Sequence, residues 1–403
     1  MQTPFGHLTY CTNIHAGEIW PEHFKAIQQA VPAIKQQLSP NHPFGIGLRL
    51  SNVASIELIK EDNLQQFIQW LQEQQCYVFT MNGFPYGGFH HTVVKEDVHT
   101  PDWTTEQRLE YTIRLANILA ALLPEGMEGG ISTSPLTYRH WHEKDVETHA
   151  VFQQATINLL HVVEALIQLK EQTGKTIHTD IEPEPDGLME TGPEFMQWYQ
   201  EYLLPIGVSF LGERLHYTKE KATAAIKAHV QLCYDICHFA VGYEDHAGVL
   251  QQLKARDIKV GKIQISAALR AEMPNATEQR ESVIEAFKKF NEPVYLHQVV
   301  ARQKDGNLKR YPDLPDALQE ANASGVQEWR AHYHVPLFIE NYGALQSTQK
   351  DIQQVLQLHR AQPFSAHLEI ETYTWEVLPE ELKLPLTDSI VRELEWVKDE
   401  LEK

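Results

Sequence analysis

The sequences T-I-H-T-D-I-E at residues 176–182 and A-H-L-E-I-E-T-Y at residues 366–373 decide the fold of this 403-residue chain. In both, apolar residues alternate with polar ones, which is typical of a β-strand with one apolar and one polar face. The polar face of each carries a histidine and two acids, namely His178, Asp180 and Glu182 in the first and His367, Glu369 and Glu371 in the second. Because the helix-facing side of a barrel strand must be apolar, we predict that these polar side chains point into the lumen of a barrel.

Short β-branched runs alternate with stretches of helical periodicity along nearly the whole chain, which indicates a parallel sheet covered by helices. We predict eight strands, at residues 8–14, 45–50, 76–82, 130–134, 176–182, 231–237, 260–266 and 366–373. We predict helices at residues 22–38, 55–75, 105–123, 146–173, 218–229, 246–256 and 347–360, and a last one from residue 386. Eight strands with crossover helices predict an α/β fold of the (β/α)8 TIM barrel type, and a doubly wound open sheet is the alternative.

A long segment between the seventh and eighth predicted strands breaks this alternation. It contains an apolar run at residues 294–301 and a turn signal at Asp305 and Gly306. We predict that residues from about 271 to 340 form a helix and a small β insertion over the C-terminal mouth of the barrel. Since no linker or low-complexity tract separates two parts, we predict one domain over residues 1–403.

The composition narrows the class of protein. Fifty-four acidic residues against 34 basic ones give a formal net charge of −20, which would repel a nucleic-acid backbone. The sequence has no run of 18 apolar residues, and its start lacks the basic and apolar regions of a signal peptide. We therefore expect a cytoplasmic protein that acts on a small-molecule substrate, with no nucleic-acid partner and no stable membrane insertion. The four cysteines lie in apolar segments without zinc-type spacing, so we interpret them as buried thiols.

Four of the predicted strands carry a polar side chain on the lumen face at their C-terminal end. The side chains are those of Glu182, Asp235, Gln264 and Glu371. Strand ends of a barrel meet at one mouth, and carboxylate and amide oxygens are ligands of Mn²⁺ or Mg²⁺, with Zn²⁺ as a further choice. We predict a divalent metal site here, although each acid alone would more readily be a solvated carboxylate. Asp180, Lys262 and Glu369 would lie one layer deeper as a structural ion cluster.

Several other polar and aromatic residues are candidates for the same mouth. His238 follows Asp235 by three residues, and His297, His332 and His334 lie in the insertion, either as further ligands or as packing residues. Asn13 and His15 end the first predicted strand, and Arg49 alternates with apolar neighbours. Arg49 could therefore hold a substrate phosphate or carboxylate, or pair with a lumen acid. The segment N-G-F-P-Y-G-G-F-H-H at residues 82–91 predicts an aromatic lip in which Asn82, Phe84, Tyr86 and Phe89 contact substrate, or pack under a loop.

Glu182 in D-I-E-P-E-P-D-G, the Asp235-x-x-His238 motif, Gln264 and Glu371 together resemble the xylose-isomerase-like TIM barrel superfamily. The superfamily includes sugar isomerases, epimerases and the endonuclease IV type, and the resemblance covers most of the second half of the barrel. It implies a divalent metal bound by Glu182, Asp235, the strand-seven residue and Glu371, with Glu182 and Glu371 also acting as the acid–base pair. The strand-seven ligand is commonly histidine, and here it is Gln264. His332-x-His334 takes a place comparable to the D-x-H motif of the endonuclease branch.

A narrower resemblance runs the full length of the chain. The sequences H-L-T-Y-C-T-N-I-H-A-G-E at residues 7–18, W-R-A-H-Y-H-V-P at residues 329–336 and H-L-E-I-E-T-Y-T-W-E-V-L-P at residues 367–379 are similar to the EboE family of bacterial metabolite traffic proteins. Operons of that family also encode a prenyltransferase-like membrane protein. This resemblance implies a non-catalytic carrier of a metabolite in a prenyl-linked pathway.

Three functions follow from these observations. The leading prediction is a metal-dependent isomerase or epimerase acting on a sugar, cyclitol or related hydroxy-carbonyl compound, with Glu182 and Glu371 exchanging a proton. The second is an endonuclease IV-like phosphoesterase with a small substrate, and the third is the carrier. A fold alone does not choose among them.

Overall fold

The computed structural model describes residues 1–88, 93–142, 145–376 and 385–403, together with Leu378 and Lys383. Its strands, numbered in chain order, are β1 Gln2–Thr3, β2 Gly6–Tyr10, β3 Phe44–Arg49, β4 Cys76–Asn82, β5 Gly129–Thr133, β6 Ile177–Ile181, β7 Val230–Asp235, β8 Val260–Ile265, β9 Leu269–Glu272, β10 Val299–Gln303, β11 Leu308–Tyr311, β12 Val326–Ala331, β13 Asn341–Tyr342, β14 Leu345–Ser347 and β15 His367–Ile370. The main sheet has the order β1-β2-β15-β8-β7-β6-β5-β4-β3. Its eight long strands pair in parallel, and only the short β1 is antiparallel to its neighbour β2. The predicted TIM barrel is confirmed.

The barrel closes between β2 and β3 through side chains rather than through a full ladder. Thr9 Oγ1 donates to Gly45 O over 2.7 Å and accepts from Gly47 N over 3.1 Å, and Cys11 and Gly47 form a single parallel bridge. Gly47 permits this approach, because a Cβ there would lie 2.7 Å from Glu369 Oε1 and 2.8 Å from Tyr10 O. The predicted first strand, at residues 8–14, is therefore too long. It ends at Tyr10, and Thr12–Ile14 form a 3₁₀ turn.

Helices cover the barrel in the alternation that the sequence predicts. In chain order they are α1 Trp20–Leu38, α2 Asn52–Leu58, α3 Asn63–Glu73, α4 Glu106–Leu122, α5 Asp145–Thr173, α6 Gly192–Trp198, α7 Leu204–Leu215, α8 Lys219–His229, α9 Ile236–Val241, α10 His246–Ala255, α11 Thr277–Lys288, α12 Leu314–Gln319, α13 Gln349–Ala361 and α14 Leu386–Glu402.

Two helix predictions are wrong in detail. The single helix predicted at residues 55–75 is two helices, α2 and α3, because Glu61 takes a positive φ of 51° between them. Helices α6 and α7 were not predicted, although Thr191 and Glu194 form a capping box at the start of α6.

The segment between β8 and β15 forms a second, antiparallel sheet of six strands in the order β11-β10-β12-β9-β14-β13. Its first strand begins at Leu269 and its last ends at Ser347, so the insertion is somewhat longer than the predicted 271–340. Helices α11 and α12 accompany this sheet. Strand β12 lies near its middle and leads directly into His332, which is how the insertion reaches the barrel mouth.

Helix α5 is the most apolar long helix in the part of the chain that the structure describes. Its stretch Thr148–Thr173 is long and apolar enough to cross a membrane by length and composition, and 56% of its most apolar window is buried inside the structure. It packs against α4, α7 and α8 in the outer layer of the barrel.

Candidate metal centre

Three carboxylates converge at the C-terminal mouth of the barrel. Glu182 follows β6, Asp235 ends β7 and Glu371 follows β15, and one oxygen from each lies within 4.8 Å of the others. Their exposed fractions are only 3%, 0% and 5%. Among the described residues, Glu182 Oε2 and Asp235 Oδ2 find no hydrogen-bond partner. Buried carboxylates this close repel each other unless a cation or a shared proton lies between them.

Three side-chain amides hold Glu371 in place. Asn13 Nδ2 and Asn82 Nδ2 donate to its Oε1 over 2.6 and 2.8 Å, and Gln264 Nε2 donates to its Oε2. Gln264 Oε1 faces Cys233 Sγ at 3.8 Å. The structure therefore places Gln264 behind a carboxylate, with its amide oxygen turned to Cys233. Asn13 and Asn82, predicted to contact substrate, both donate to Glu371.

His334 stands beside the carboxylates and comes from the insertion. Its Nδ1 lies 3.0 Å from Glu371 O and 3.2 Å from Glu371 Oε2. Its Nε2 lies 3.8 Å from Asp235 Oδ2 and has no hydrogen-bond partner among the described residues. Nδ1 donates to the carbonyl oxygen, so Nε2 carries the lone pair when the ring is neutral, as it would be with a cation bound. Burial lowers the pKa of His334, but the charge of Asp235 raises it well above its ordinary value, so without a cation the ring also holds a proton on Nε2. A nitrogen that can bind a cation therefore faces the carboxylates, and it comes from the insertion rather than from a barrel strand.

A second group lies next to the first, around His238 and His332. Their Nε2 atoms are 3.1 Å apart. His238 Nδ1 donates to Pro183 O over 3.0 Å. His332 Nδ1 lies 2.8 Å from Gln298 Oε1, and Gln298 Nε2 donates to Pro185 O, which fixes the orientation of that amide and makes Nε2 the acceptor nitrogen of His332. The 3.1 Å contact between the two Nε2 atoms therefore needs a proton or a cation between the rings.

Two further residues of this group were not predicted as ligands. One ligand atom from each of Glu184, His238 and His332 lies within 4.8 Å of the others, and the same holds for Cys237, His332 and His334. Glu184 follows Glu182 by two residues in E-P-E, so the strand-end motif itself was the available signal. Cys237 is buried, as predicted, and burial raises the pKa of its thiol to about 11.

Burial and neighbouring charges shift the pKa values of the carboxylates and histidines of the site in different directions. Burial, followed by the charges of Glu371 and Asp235, raises the pKa of Glu182 well above its ordinary value. Burial alone would do the same for Glu371, but hydrogen bonds and charge from His334, with the bond from Gln264, lower its pKa. Burial lowers the pKa of His332 well below its ordinary value. A proton shared between the two glutamates therefore resides on Glu182.

The deeper layer forms the ion cluster that the strand pattern predicts. Lys262 Nζ lies 2.7 Å from Glu369 Oε2 and donates to Ser132 Oγ over 3.2 Å, and His178 Nδ1 lies 2.6 Å from Asp180 Oδ1. Glu369, a candidate further ligand, is therefore the partner of a lysine in the described structure.

His297, another candidate ligand, lies outside the two groups. Its Nε2 meets Glu292 Oε1 at 2.6 Å, its Nδ1 meets His332 O at 2.9 Å, and its ring stacks on Tyr333. It supports the backbone of His332.

The residues predicted to contact substrate mostly pack within the protein. Arg49 pairs with Glu18 Oε2 at 2.8 Å rather than with a lumen acid, and it donates to Gly87 O. His15 Nε2 meets the Tyr10 hydroxyl at 2.9 Å. Phe84 is buried against His99, and Tyr86 packs on Tyr111. The last three residues of the predicted lip, including Phe89, lie outside the described residues.

Two cavities differ in their relation to this centre. A cavity of about 60 Å³ reaches Glu184 and His332, and its outer wall includes Val94 and Tyr295. A much larger one of about 1150 Å³ lies at the other end of the barrel, against His178, His367 and the start of β8. Barrel enzymes carry their chemistry at the C-terminal ends of the strands, so the small cavity is the one that belongs to the site.

Known structures agree with the fold. The chain is similar to a xylose isomerase-like TIM barrel protein from Mycobacterium smegmatis in complex with magnesium, with 10% identity, a TM-score of 0.50, and coverage of 100% of this chain and 98% of that one. A xylose isomerase domain protein from Planctomyces limnophilus matches with 11% identity and a TM-score of 0.46 over 99% and 95% of the two chains. The IOLI protein with a bound zinc atom matches with 10% identity and a TM-score of 0.46 over 98% of each chain. No family model and no curated protein sequence matches the chain. At this identity the Mycobacterium match shows the fold alone, that of the xylose isomerase-like TIM barrels.

Proposed function

We propose that the chain is a metal-dependent isomerase or epimerase that acts on a hydroxylated carbonyl compound such as a sugar or cyclitol. The observation that carries this proposal is the convergence of Glu182, Asp235 and Glu371, each with one oxygen within 4.8 Å of the others, while Glu182 Oε2 and Asp235 Oδ2 have no hydrogen-bond partner among the described residues. Unpaired buried carboxylate oxygens are costly, and a divalent cation between them would satisfy them, with His334 Nε2 3.8 Å from Asp235 Oδ2 as a further ligand. The donor set fits such an ion. A structural neighbour of similar fold, from Mycobacterium smegmatis, is a complex with magnesium.

In this proposal His334 has the role that the histidine of strand seven has in the superfamily. Gln264, at the strand-seven position, does not bind the ion but orients Glu371 by a hydrogen bond. Three carboxylates and one imidazole favour Mn²⁺ or Mg²⁺, while the imidazole also makes Zn²⁺ acceptable. The metal, when bound, would polarise the carbonyl and an adjacent hydroxyl of the substrate. Side chains of the protein would carry out the proton transfers. Glu371, the ionised member of the pair, would take the proton from one face of the substrate carbon, and Glu182, in its protonated form, would give its own proton to the opposite face.

We further propose that Glu184, His238 and His332 hold a second cation. Two facing imidazole lone pairs at 3.1 Å repel each other unless a proton or a metal ion lies between them. Two nitrogens bound to one tetrahedral Zn²⁺ lie about 3.3 Å apart, and two histidines with one glutamate are a known zinc ligand set. The nitrogen-rich group therefore favours Zn²⁺ more than the carboxylate group does.

The experiment is a metal analysis of protein purified without chelators, followed by an exchange assay. The metal-loaded protein is incubated in D₂O with a panel of free ketoses, aldoses and cyclitol ketones, and deuterium at the carbon beside the carbonyl is followed by NMR. Uptake that requires both the metal and Glu182 supports the proposal. A protein that binds no divalent ion under any of these conditions contradicts it.

Two other functions remain as outcomes of the same experiment. The histidine group favours a phosphoesterase as the second candidate, since paired metal ions suit displacement at phosphorus. A protein that binds metal, exchanges no carbon-bound proton and hydrolyses small phosphate esters would establish it. A protein that binds metal and metabolite without any turnover would support a carrier of the EboE type.

A further inference from the structure

We propose that the 60 Å³ cavity beside the centre is a substrate pocket for a short, uncharged chain of hydroxylated carbons, with His99 as a residue that contacts the substrate. This inference rests on the proposed function and adds the size and charge of the substrate. The volume holds about four to six water-sized groups, at roughly 10–15 Å³ each. A three-carbon hydroxy ketone is of this size, so the pocket would receive the reacting end of the substrate.

His99 is a polar residue that lines the pocket and belongs to neither metal group. It lies at the end of the 3₁₀ turn Lys95–His99 and is buried among the rings of Phe84, Tyr138 and Trp141. Its Nε2 is 3.0 Å from Glu184 Oε1, whereas its Nδ1 has no hydrogen-bond partner among the described residues. Glu184 Oε1, like His99 Nδ1, has no hydrogen-bond partner among the described residues, so a substrate hydroxyl can bond to Nδ1 in either tautomer of the ring.

The charges around the pocket disfavour a phosphate. Of the described residues that line it, only Lys95 carries a permanent positive charge, and Lys95 Nζ pairs with Asp313 Oδ2 at 2.5 Å. Glu184 lines the inner wall, and Glu182, Asp235 and Glu371 lie behind it. Among the described residues the lining therefore offers no cationic side chain without an acidic partner to hold a dianionic group.

The outer wall of the pocket is apolar and formed by two separate segments. Val94 N and Lys95 N donate to Val294 O over 2.8 and 3.2 Å, which joins the loop after β4 to the insertion. Val94 and Tyr295 pack together in a small apolar cluster above the pocket, apart from the main core. Such a wall suits the C–H face of a polyol while the inner wall receives its hydroxyls.

The test compares dihydroxyacetone with dihydroxyacetone phosphate, two probes that differ only in the phosphate. Both are titrated calorimetrically into the Mn²⁺-loaded protein and into His99→Gln. We expect the wild type to bind dihydroxyacetone, to bind the phosphate no more tightly, and His99→Gln to weaken dihydroxyacetone binding about tenfold, the effect of one lost buried hydrogen bond. Bound Mn²⁺ is measured in each variant, so that dihydroxyacetone binding is compared at equal occupancy of the ion.

Val98→Trp is a second variant, which fills the pocket without removing a polar group, and Val53→Trp at an exposed position is its control. We expect loss of dihydroxyacetone binding for the first and none for the second. Tighter binding of the phosphate by tenfold or more, equal binding by wild type and both pocket variants, or no binding to the metal-loaded wild type would overturn the inference. Absence of bound Mn²⁺ would instead overturn the proposed function.

Discussion

Gln264 donates its side-chain N–H to Glu371 Oε2, the same carboxylate that receives Asn13 and Asn82 on its other oxygen. Three amides from three different parts of the chain thus fix the plane of one carboxyl group. Outer hydrogen bonds of this kind orient a metal ligand and raise the affinity of its site. Gln264 is therefore a positioning residue in the proposed centre.

The first prediction concerns this contact. Gln264→Leu should weaken Mn²⁺ binding about tenfold, because the loss of an outer partner typically costs 10–100-fold in affinity. The number of bound ions should not change. Calorimetric titration of the apo protein measures both quantities, and loss of an entire binding event would instead make Gln264 a ligand.

The second prediction concerns the two glutamates. Glu182→Gln and Glu371→Gln should each weaken divalent metal binding and abolish carbon-bound proton exchange, since each loses a charged ligand and half of the acid–base pair. Glu213→Gln, on the exposed surface of α7, is the matched control. Near-normal exchange by either variant would show that the acid–base assignment is wrong.

The third prediction concerns the second cation. His332→Ala should lower the number of bound Zn²⁺ ions by one, because it removes a ligand of the histidine group and none of the carboxylate group. Cys237→Ser should leave that number unchanged. If Cys237 supplies the third ligand in place of Glu184, the Co²⁺-loaded wild type will show a thiolate absorption band that Cys237→Ser lacks.

The strand pattern predicts the three carboxylates because alternation decides which face of a strand an acid occupies. It also predicts that Lys262 and Glu369 lie one layer deeper. It does not reveal that Gln264 turns its nitrogen toward Glu371, because that orientation depends on Asn13 and Asn82, which come from the 3₁₀ turn after β2 and from the end of β4. The hydrogen-bond partners around a side-chain amide determine which way its nitrogen points.

The sequence pattern also does not show how the insertion reaches the centre, for a different reason. His334 reaches Asp235 only because a six-stranded sheet folds back over the mouth, and periodicity along a strand carries no information about that path. His99 lies in a loop whose residues follow no period. The break between α2 and α3 was more accessible, since Glu61, Asp62 and Asn63 are residues that favour turns.

The fourth prediction concerns pH. Glu393 accepts hydrogen bonds from Leu337 N and Thr372 Oγ1, and burial raises its pKa to about 8. The folded state thus holds a proton that the unfolded chain releases near pH 4.5, so this group stabilises the fold most at low pH and loses its contribution as pH rises toward 8. Between pH 5 and 8, the free energy of unfolding of the wild type should fall faster than that of Glu393→Gln, by about 1 kcal/mol per pH unit.

Urea unfolding at several pH values measures this difference. Gln retains an oxygen that accepts both hydrogen bonds, so the variant tests the charge rather than the contacts. Parallel curves for the two proteins would contradict the prediction.

The fifth prediction concerns the barrel seam. Thr9→Val should lower the free energy of unfolding by about 1–3 kcal/mol, because it leaves Gly45 O and Gly47 N buried without their partner. Thr173→Val, at an exposed helix end, is the control for the substitution itself. Equal stability of the two variants would show that the seam does not depend on the threonine hydroxyl.

Strand β12 passes through the middle of the insertion sheet and ends one residue before His332. If His332 and His334 bind ions together with residues of the barrel, the affinity for those ions includes the free energy with which the insertion docks onto the barrel. Occupancy and docking are then linked in both directions. Chelation would raise the rate of amide hydrogen exchange in β9, β10 and β12 before that of the barrel strands. A mutation in the insertion that weakens its docking would lower the metal affinity of the centre without changing any of the ligands.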